Sequence, residues 1–275
     1  MVTPETDETI PTFPSALYDM PSPAPAIPVG NLTMRHLTLD AEQPYHDLAL
    51  VGNEYALYAL TGFIEVYVDT WFQGTIGGRR TMQESLAHVV RFPAGTERTL
   101  RLLLHGHAAD CLLISCEALP NRVTKLPYWH WSDARAHVVG EGTHQRTVLE
   151  IPTPPSFRLS LGETYNAPGT ISSWPPHASQ EDLQAYADKL TAWEEQFFIV
   201  CQHPGRAILH GYYPGVVPIS ETIALDNGAI VRMPLGLHSV HAAVDSYLKY
   251  IWAYCGNALQ KQYNLHSTDT LVYRK

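Results

Sequence analysis

Short apolar runs, rich in β-branched and aromatic residues, recur along the first half of the chain. One run divides at Thr61-Gly62, and Pro93-Ala94-Gly95 follows another, so both sites are predicted turns. Runs of this length between Gly- and Pro-containing turns predict the short strands of an all-β barrel or sandwich. The runs are NLTMRHLTL (31–39), EYALYALTGFIEVYVD (54–69), HVVRF (88–92), TLRLLL (99–104) and CLLISCEAL (111–119).

The same rhythm resumes after an irregular stretch at 120–142. Asp226-Asn227-Gly228 separates two of the later runs and predicts a tight turn between them. One helix is predicted at 180–193, where apolar residues recur at helical spacing after Ser179, a candidate N-cap. The later strand candidates are RTVLEI (146–151), FRLSLGETY (157–165), EQFFIVC (195–201), RAILHGYY (206–213), ETIAL (221–225), AIVRM (229–233) and LKYIWAYC (248–255).

This pattern predicts two antiparallel β-barrels of the jelly-roll type, with one inserted helix in the C-terminal half. Residues 1–28 contain seven prolines and are expected to form an extended arm. We place an N-terminal, structural barrel at 29–135 and a C-terminal barrel at 136–275. The aromatic cluster at 129–131 is expected to pack between the two barrels rather than to bind a sugar.

Composition narrows the possible partners. Asp and Glu total 27 against 18 Lys and Arg, a net charge of −9, so we expect neither a nucleic-acid nor a membrane partner. No apolar run approaches the roughly 18 residues of a membrane helix, and the start lacks the features of a secretory signal. The four cysteines form no CxxC pair, which favours a reducing, cytoplasmic setting.

The stretch GAIVRMPLGLH (228–238) carries a candidate metal ligand, His238. Pro234, Gly236 and His238 form P-x-G-x-H, a stiff turn before a strand that is expected to aim the imidazole into the barrel. This pattern resembles the second motif of the cupin superfamily, in the shorter form found in the 5-deoxy-glucuronate isomerase family. The alternative interpretation is a satisfied core histidine that binds nothing.

Further segments resemble the same family. NAPGTISSWPPHASQED (166–182) is similar to its stretch of small polar residues that ends in Pro-Pro-His, and WEEQFFIV (193–200) to its Glu-Glu before an aromatic pair. In the first half, EYALYALTGFIEV (54–66) and GGRR (77–80) resemble it more loosely. The resemblance covers roughly residues 45–256 and implies a bicupin fold with a metal in the C-terminal barrel.

The resemblance also implies a ligand set. Carried over by position, the metal ligands are His177, Glu195 and His238, and the metal is zinc, manganese or iron. The second histidine of the family's H-x-H falls on Ser179, a poorer ligand than imidazole. Three protein ligands can hold a catalytic metal with open positions, but the change is also what a weakened or lost site would show.

Four further residues have candidate roles. His210 is either a fourth ligand that replaces the missing imidazole or the base that moves a proton. Glu194 is a second candidate base, and its neighbour Glu195 competes with it as the inward-facing carboxylate. Tyr212 or Tyr213 is a candidate for orienting substrate hydroxyls.

Two other histidine patterns have a simpler interpretation. His241 lies three residues after His238, so in a regular strand it is expected on the opposite face. His105-Gly106-His107 has the H-x-H form of a metal site, but its glycine and its place between two strands favour the tip of a hairpin.

The activity that the resemblance implies is aldose–ketose isomerisation of 5-deoxy-glucuronate to 5-dehydro-2-deoxy-gluconate in inositol breakdown. The expected partners are a small sugar acid and other copies of the chain, in a homo-oligomer. Two alternatives stay open. The first is a cupin enzyme that acts on another sugar acid or as an oxygenase. The second is a non-catalytic sugar-binding or assembly bicupin.

Overall fold

The computed structural model describes residues 32–79, 88–95, 97–118, 129–131, 135–153, 157–177, 194–211, 219–233 and 237–255. Across these ranges the chain forms β-strands and a single 3-10 turn, Gly142–His144, so the predicted all-β class is confirmed. None of the elements in them is a helix long and apolar enough to cross a membrane. The predicted arm (1–28) and the predicted helix (180–193) lie outside the described residues.

The N-terminal half consists of two antiparallel sheets. The inner N-terminal sheet has the order β1-β8-β3-β6-β9, and the outer N-terminal sheet the order β2-β7-β4-β5. The strands are β1 Thr33–Leu39, β2 Tyr45–Leu50, β3 Asn53–Thr61, β4 Phe63–Val68, β5 Trp71–Gly77, β6 His88–Phe92, β7 Arg98–Leu104, β8 Ala109–Glu117 and β9 Trp129–Trp131.

The C-terminal half repeats this plan. The inner C-terminal sheet has the order β10-β11-β12-β19-β14-β17, and the outer C-terminal sheet the order β13-β18-β15-β16. The strands are β10 Arg135–Val139, β11 Arg146–Ile151, β12 Ser160–Asn166, β13 Ile171–His177, β14 Glu194–Cys201, β15 Gly205–Gly211, β16 Ile219–Leu225, β17 Ile230–Met233, β18 Leu237–His241 and β19 Leu248–Cys255.

The two inner sheets pack against each other, which gives four layers and three buried cores. One core lies between the N-terminal sheets, one between the C-terminal sheets, and one between the inner sheets of the two halves. Inner strands are therefore covered on both faces. This explains why β3 and β19 are buried at nearly every residue, whereas the outer strand β4 alternates buried with half-buried or exposed positions.

A buried ionic cluster joins the inner sheets. Glu163 on β12 accepts hydrogen bonds from Tyr58 on β3 and from Arg79, and its second oxygen lies 2.5 Å from Lys249 Nζ on β19. All four side chains are buried. The cluster ties residues far apart in the chain into one contact between the two halves.

Most predicted strands are present, with shifts of a few residues at their ends. The segments at β6, β11 and β19 match exactly, and Gly62, with φ +68°, lies in the predicted turn between β3 and β4. The outer strands β2 and β5 were missed. Their side chains are mostly exposed or half-buried, so they lack an apolar run.

The prediction of a hairpin tip at 105–107 is wrong. The segment does lie between β7 and β8, but β7 pairs with β2 and β4, whereas β8 pairs with β1 and β3. It is therefore a crossing from the outer to the inner sheet. His105 Nδ1 lies 3.1 Å from Glu65 Oε1 in this crossing.

Candidate metal centre in the C-terminal half

Two of the predicted ligands meet in the core between the C-terminal sheets. Glu195 comes from β14 of the inner sheet and His238 from β18 of the outer sheet, and both side chains are buried. Strand alternation places Glu195 on the same face as Phe197 and His238 on the same face as Val240, and both of these apolar residues belong to that core. The Nε2 atom of His238 lies 3.8 Å from Oε2 of Glu195.

The surroundings keep His238 in the form that a metal needs. Burial lowers the pKa of its imidazole, and the nearby charge of Glu195 only opposes this shift. The ring is therefore neutral near pH 7, and neutral imidazole is the metal-binding form. Phe197 contacts the imidazole edge-on, with ring centroids 5.9 Å apart, and so restrains its orientation.

The third predicted ligand, His177, ends β13 directly opposite His238 in the pairing of β13 with β18. A β-bulge between Ser172 and His177 creates this match. The backbone of His177 is thus brought to the Glu195–His238 pair, while its side chain lies outside the described part of the molecule.

The remaining predicted site residues are placed less completely. His210 lies on β15 opposite Leu237, and the direct partner of His238 on that strand is Leu209. Glu194 lies one position before Glu195, opposite Cys255. The structure describes only the backbone of His210 and Glu194, so their roles stay predictions. Tyr212, Tyr213 and Ser179 lie outside the described residues.

His241 faces away from the site, as predicted. Its Nε2 atom lies 2.9 Å from Ser239 Oγ, and both residues alternate with the inward-facing His238 and Val240.

Sequence analysis missed a layer of hydroxyl groups in the same core. Tyr250 on β19 and Ser172 on β13 are 3.0 Å apart through their hydroxyl oxygens, and Asn166 Nδ2 donates to Ser172 Oγ at 2.9 Å. Alternation along β19 places Tyr250 on the same face as Leu248 and Trp252, which the sequence could show. That this face meets Ser172 on β13 is decided by the packing of the two sheets, which the sequence alone does not show.

The described residues contain no group of three His, Cys, Asp or Glu side chains that could hold a metal ion, so the fit to a metal is tested on the Glu195–His238 pair alone. One imidazole nitrogen and one carboxylate oxygen suit zinc, manganese or iron, and a histidine at 177 would add a third donor. Two donors about 2.1 Å from one ion lie roughly 3–3.6 Å apart, depending on the angle. The separation of 3.8 Å between His238 and Glu195 is close to this and too long for a hydrogen bond between them.

Comparison with known proteins identifies the family. The model of the KduI/IolB family matches residues 24–270. The chain belongs to the KduI/IolB family. Its sequence is 30% identical over 146 residues to a 5-deoxy-glucuronate isomerase of Shouchella clausii, a match that spans 52% of this chain and half of that protein's length. It is 24% identical over 209 residues to the Bacillus licheniformis protein of the same name, over 74% of each chain.

Solved structures show the same fold. An IolB-like protein from Salmonella typhimurium superposes with a TM-score of 0.71 at 19% identity, over 88% of this chain and 89% of that one. Oxalate decarboxylase from Lactobacillus farciminis superposes with a TM-score of 0.57 at 12% identity, over 86% and 78% of the two chains. At these identities the likeness concerns the fold alone, and it supports the predicted cupin architecture.

Proposed function

We propose that this member of the KduI/IolB family is a metal-dependent 5-deoxy-glucuronate isomerase, which forms 5-dehydro-2-deoxy-gluconate by aldose–ketose isomerisation. The observation that carries the proposal is the buried Glu195–His238 pair, with the backbone of His177 opposite His238. The names of the two relatives, both called 5-deoxy-glucuronate isomerase, suggest the substrate. On this proposal the ligand is a small sugar acid. That the protein is cytoplasmic and forms a homo-oligomer stays a prediction.

In the proposed mechanism, His177, Glu195 and His238 would hold the metal. When bound, the metal would supply electrostatic stabilisation of the negative charge that develops on a substrate oxygen during the isomerisation. The Glu195 carboxylate balances part of the ion's charge. Burial of the pair between the two sheets keeps bulk water from the reacting atoms.

The proton transfer between C2 and C1 needs a base with a pKa near neutrality. His210 is our first candidate and Glu194 our second, and Tyr212 is the candidate for orienting a substrate hydroxyl. His210 is also the candidate fourth ligand, so a variant at this position must be tested for metal content as well as for turnover.

Metal content per chain tests the proposal directly. Untagged protein is analysed by elemental mass spectrometry beside His238→Ala, His210→Ala and the control His241→Ala, whose ring faces away from the site. We expect near one metal per chain in the wild type and the control, and loss in His238→Ala. If His210→Ala keeps its metal but loses turnover, His210 is assigned as the base. If the variant loses both metal and turnover, His210 is assigned as a ligand.

One observation favours a second candidate, a non-catalytic sugar-binding protein. Ser179 stands where the family pattern has a second histidine. A wild-type protein that takes up no zinc, manganese or iron, and does not convert 5-deoxy-glucuronate, would replace the isomerase proposal with this one.

A further inference from the structure

The bulge in β13 decides which residue faces His238. Ile171 pairs with His241 and Ser172 with Val240, so a regular antiparallel ladder would continue to Trp174 opposite His238. Instead His177 is the partner, which means that the bulge inserts three residues into β13. His177 reaches the site because of this irregularity, as bulges near active sites commonly re-aim a strand.

The bulge begins with an unfavourable backbone conformation. Ser173 has φ +54°, in the left-handed region that residues with a Cβ rarely adopt, and it is buried. Serine has no special tolerance for this region comparable to that of glycine. The contacts around Ser173 must therefore hold the backbone in place.

Those contacts come from the opposite sheet. The hydroxyl oxygen of Tyr250, on β19, lies 3.0 Å from that of Ser172. Burial raises the pKa of this phenol, and the hydroxyl groups of Thr164 and Ser173 are close enough to oppose that rise. Asn166 Nδ2 adds a hydrogen bond to Ser172 Oγ. The Tyr250 hydroxyl therefore lies beside both serines at the start of the bulge.

Tyr250 also contacts the other side of the site. Its ring lies 4.5 Å from that of Phe197, and Phe197 packs edge-on against the imidazole of His238. One side chain therefore supports the bulge before His177 and, through Phe197, the orientation of His238.

We propose that Tyr250 is a positioning residue of the metal centre, whose hydroxyl holds the Ser172–Ser173 bulge and thereby sets His177 opposite His238. That the site binds a metal rests on the proposed function. The effect of the Tyr250 hydroxyl on the conformation of β13 does not depend on the proposed function. In this proposal Tyr250 acts through the strand that its hydroxyl holds.

The test is Tyr250→Phe, which removes one oxygen and keeps the ring on Phe197. Its matched control is Tyr58→Phe, which removes a buried phenol oxygen from the core between the two inner sheets, whereas β13 belongs to the outer C-terminal sheet. Ser172→Ala removes the same hydrogen bond from the other strand and serves if Tyr250→Phe fails to fold. Hydrogen exchange of β13 and β15, and the affinity and absorption spectrum of added Co²⁺, are measured for each protein.

We expect Tyr250→Phe and Ser172→Ala to increase amide exchange in β13 at least about 10-fold relative to β15. Co²⁺ should bind roughly 10–100-fold more weakly with an altered spectrum, the usual effect of losing a group that orients a ligand. Tyr58→Phe should leave both readouts at wild-type values even if it lowers overall stability. This contrast separates positioning from general destabilisation.

The proposal is overturned if the amide exchange rates of β13 in Tyr250→Phe and Ser172→Ala equal those of the wild type. It is also overturned if Tyr58→Phe increases exchange in β13 to the same extent. A wild-type protein that binds no Co²⁺ contradicts the proposed metal site instead. In that case the exchange of β13 still decides whether the Tyr250 hydroxyl holds the bulge.

Discussion

The two halves of the molecule share a plan but differ in what they bury. In the described part of the chain, the core between the N-terminal sheets is formed by apolar side chains such as Leu57, Ile64 and Leu102. The core between the C-terminal sheets also buries a carboxylate and an imidazole, together with a layer of hydroxyl and amide groups. These polar residues are Thr164, Asn166, Ser172, Ser173, Glu195, His238 and Tyr250.

The difference between the two cores is one of buried polar groups that need compensation. Burial of a polar group costs free energy unless a partner compensates it, and a buried charge costs more. The N-terminal half shows that this pair of sheets packs well with an apolar core. The carboxylate and imidazole of the C-terminal half are therefore not needed for folding, and we infer that a ligand accounts for them.

The largest effect that would sharpen this comparison is expected at His238. His238→Ala removes a ligand from the proposed site but no apolar packing of the size lost in an aliphatic core. We expect kcat/KM for 5-deoxy-glucuronate to fall by at least about 10²–10³-fold, the scale for loss of electrostatic stabilisation of a transition state. The melting temperature should change little. A variant with wild-type turnover would break the assignment of this core as the active site.

The contact between the halves provides the next largest effect. Glu163→Ala leaves the buried Arg79 and Lys249 without this carboxylate, so the free energy of unfolding should fall by about 3–5 kcal/mol. Urea denaturation of the purified protein measures the change. Asp47→Asn, at the exposed pair with Arg101, is the control and should have a much smaller effect. Equal losses in the two variants would contradict a specific role for the buried cluster.

In the N-terminal core we expect the opposite of the His238→Ala result, namely a loss of stability without a loss of activity. Leu102 is fully buried there, so Leu102→Ala should lower the free energy of unfolding by about 2–5 kcal/mol through the cavity that it creates. At a temperature where the variant is folded, metal content and kcat should equal those of the wild type. Loss of metal from folded Leu102→Ala would show that the two cores are not functionally distinct.

The smallest effect concerns pH. Burial raises the pKa of Glu163 from 4.5 to about 7. The folded protein then holds this proton more tightly than the unfolded chain, so the stabilising contribution is complete below about pH 4.5 and is lost as the pH rises towards 7. Urea midpoints at pH 5 and pH 7.5 should differ more for the wild type than for Glu163→Gln. Identical pH dependence in both proteins would exclude Glu163 as its source.

The success of the sequence predictions varied with how local each signal was. Strands β6, β11 and β19 were predicted exactly because each is a short run rich in β-branched, aliphatic or aromatic residues. Glu195 and His238 were predicted from a family pattern in which residue type and spacing carry the chemistry. Tyr250 was missed because its role depends on Ser172 and Ser173, about eighty residues earlier on a strand of the other sheet.

The sequence by itself determined the β-rich class and the family, and it predicted His177, Glu195 and His238 as ligands of the candidate site. These properties follow from local alternation, turn residues and spaced motifs, which are read along the chain. Only the tertiary structure decided that His177 rather than Trp174 lies opposite His238. The register of two paired strands depends on contacts between distant segments, and the shift in β13 coincides with one strained residue, Ser173, beside the hydroxyl of Tyr250.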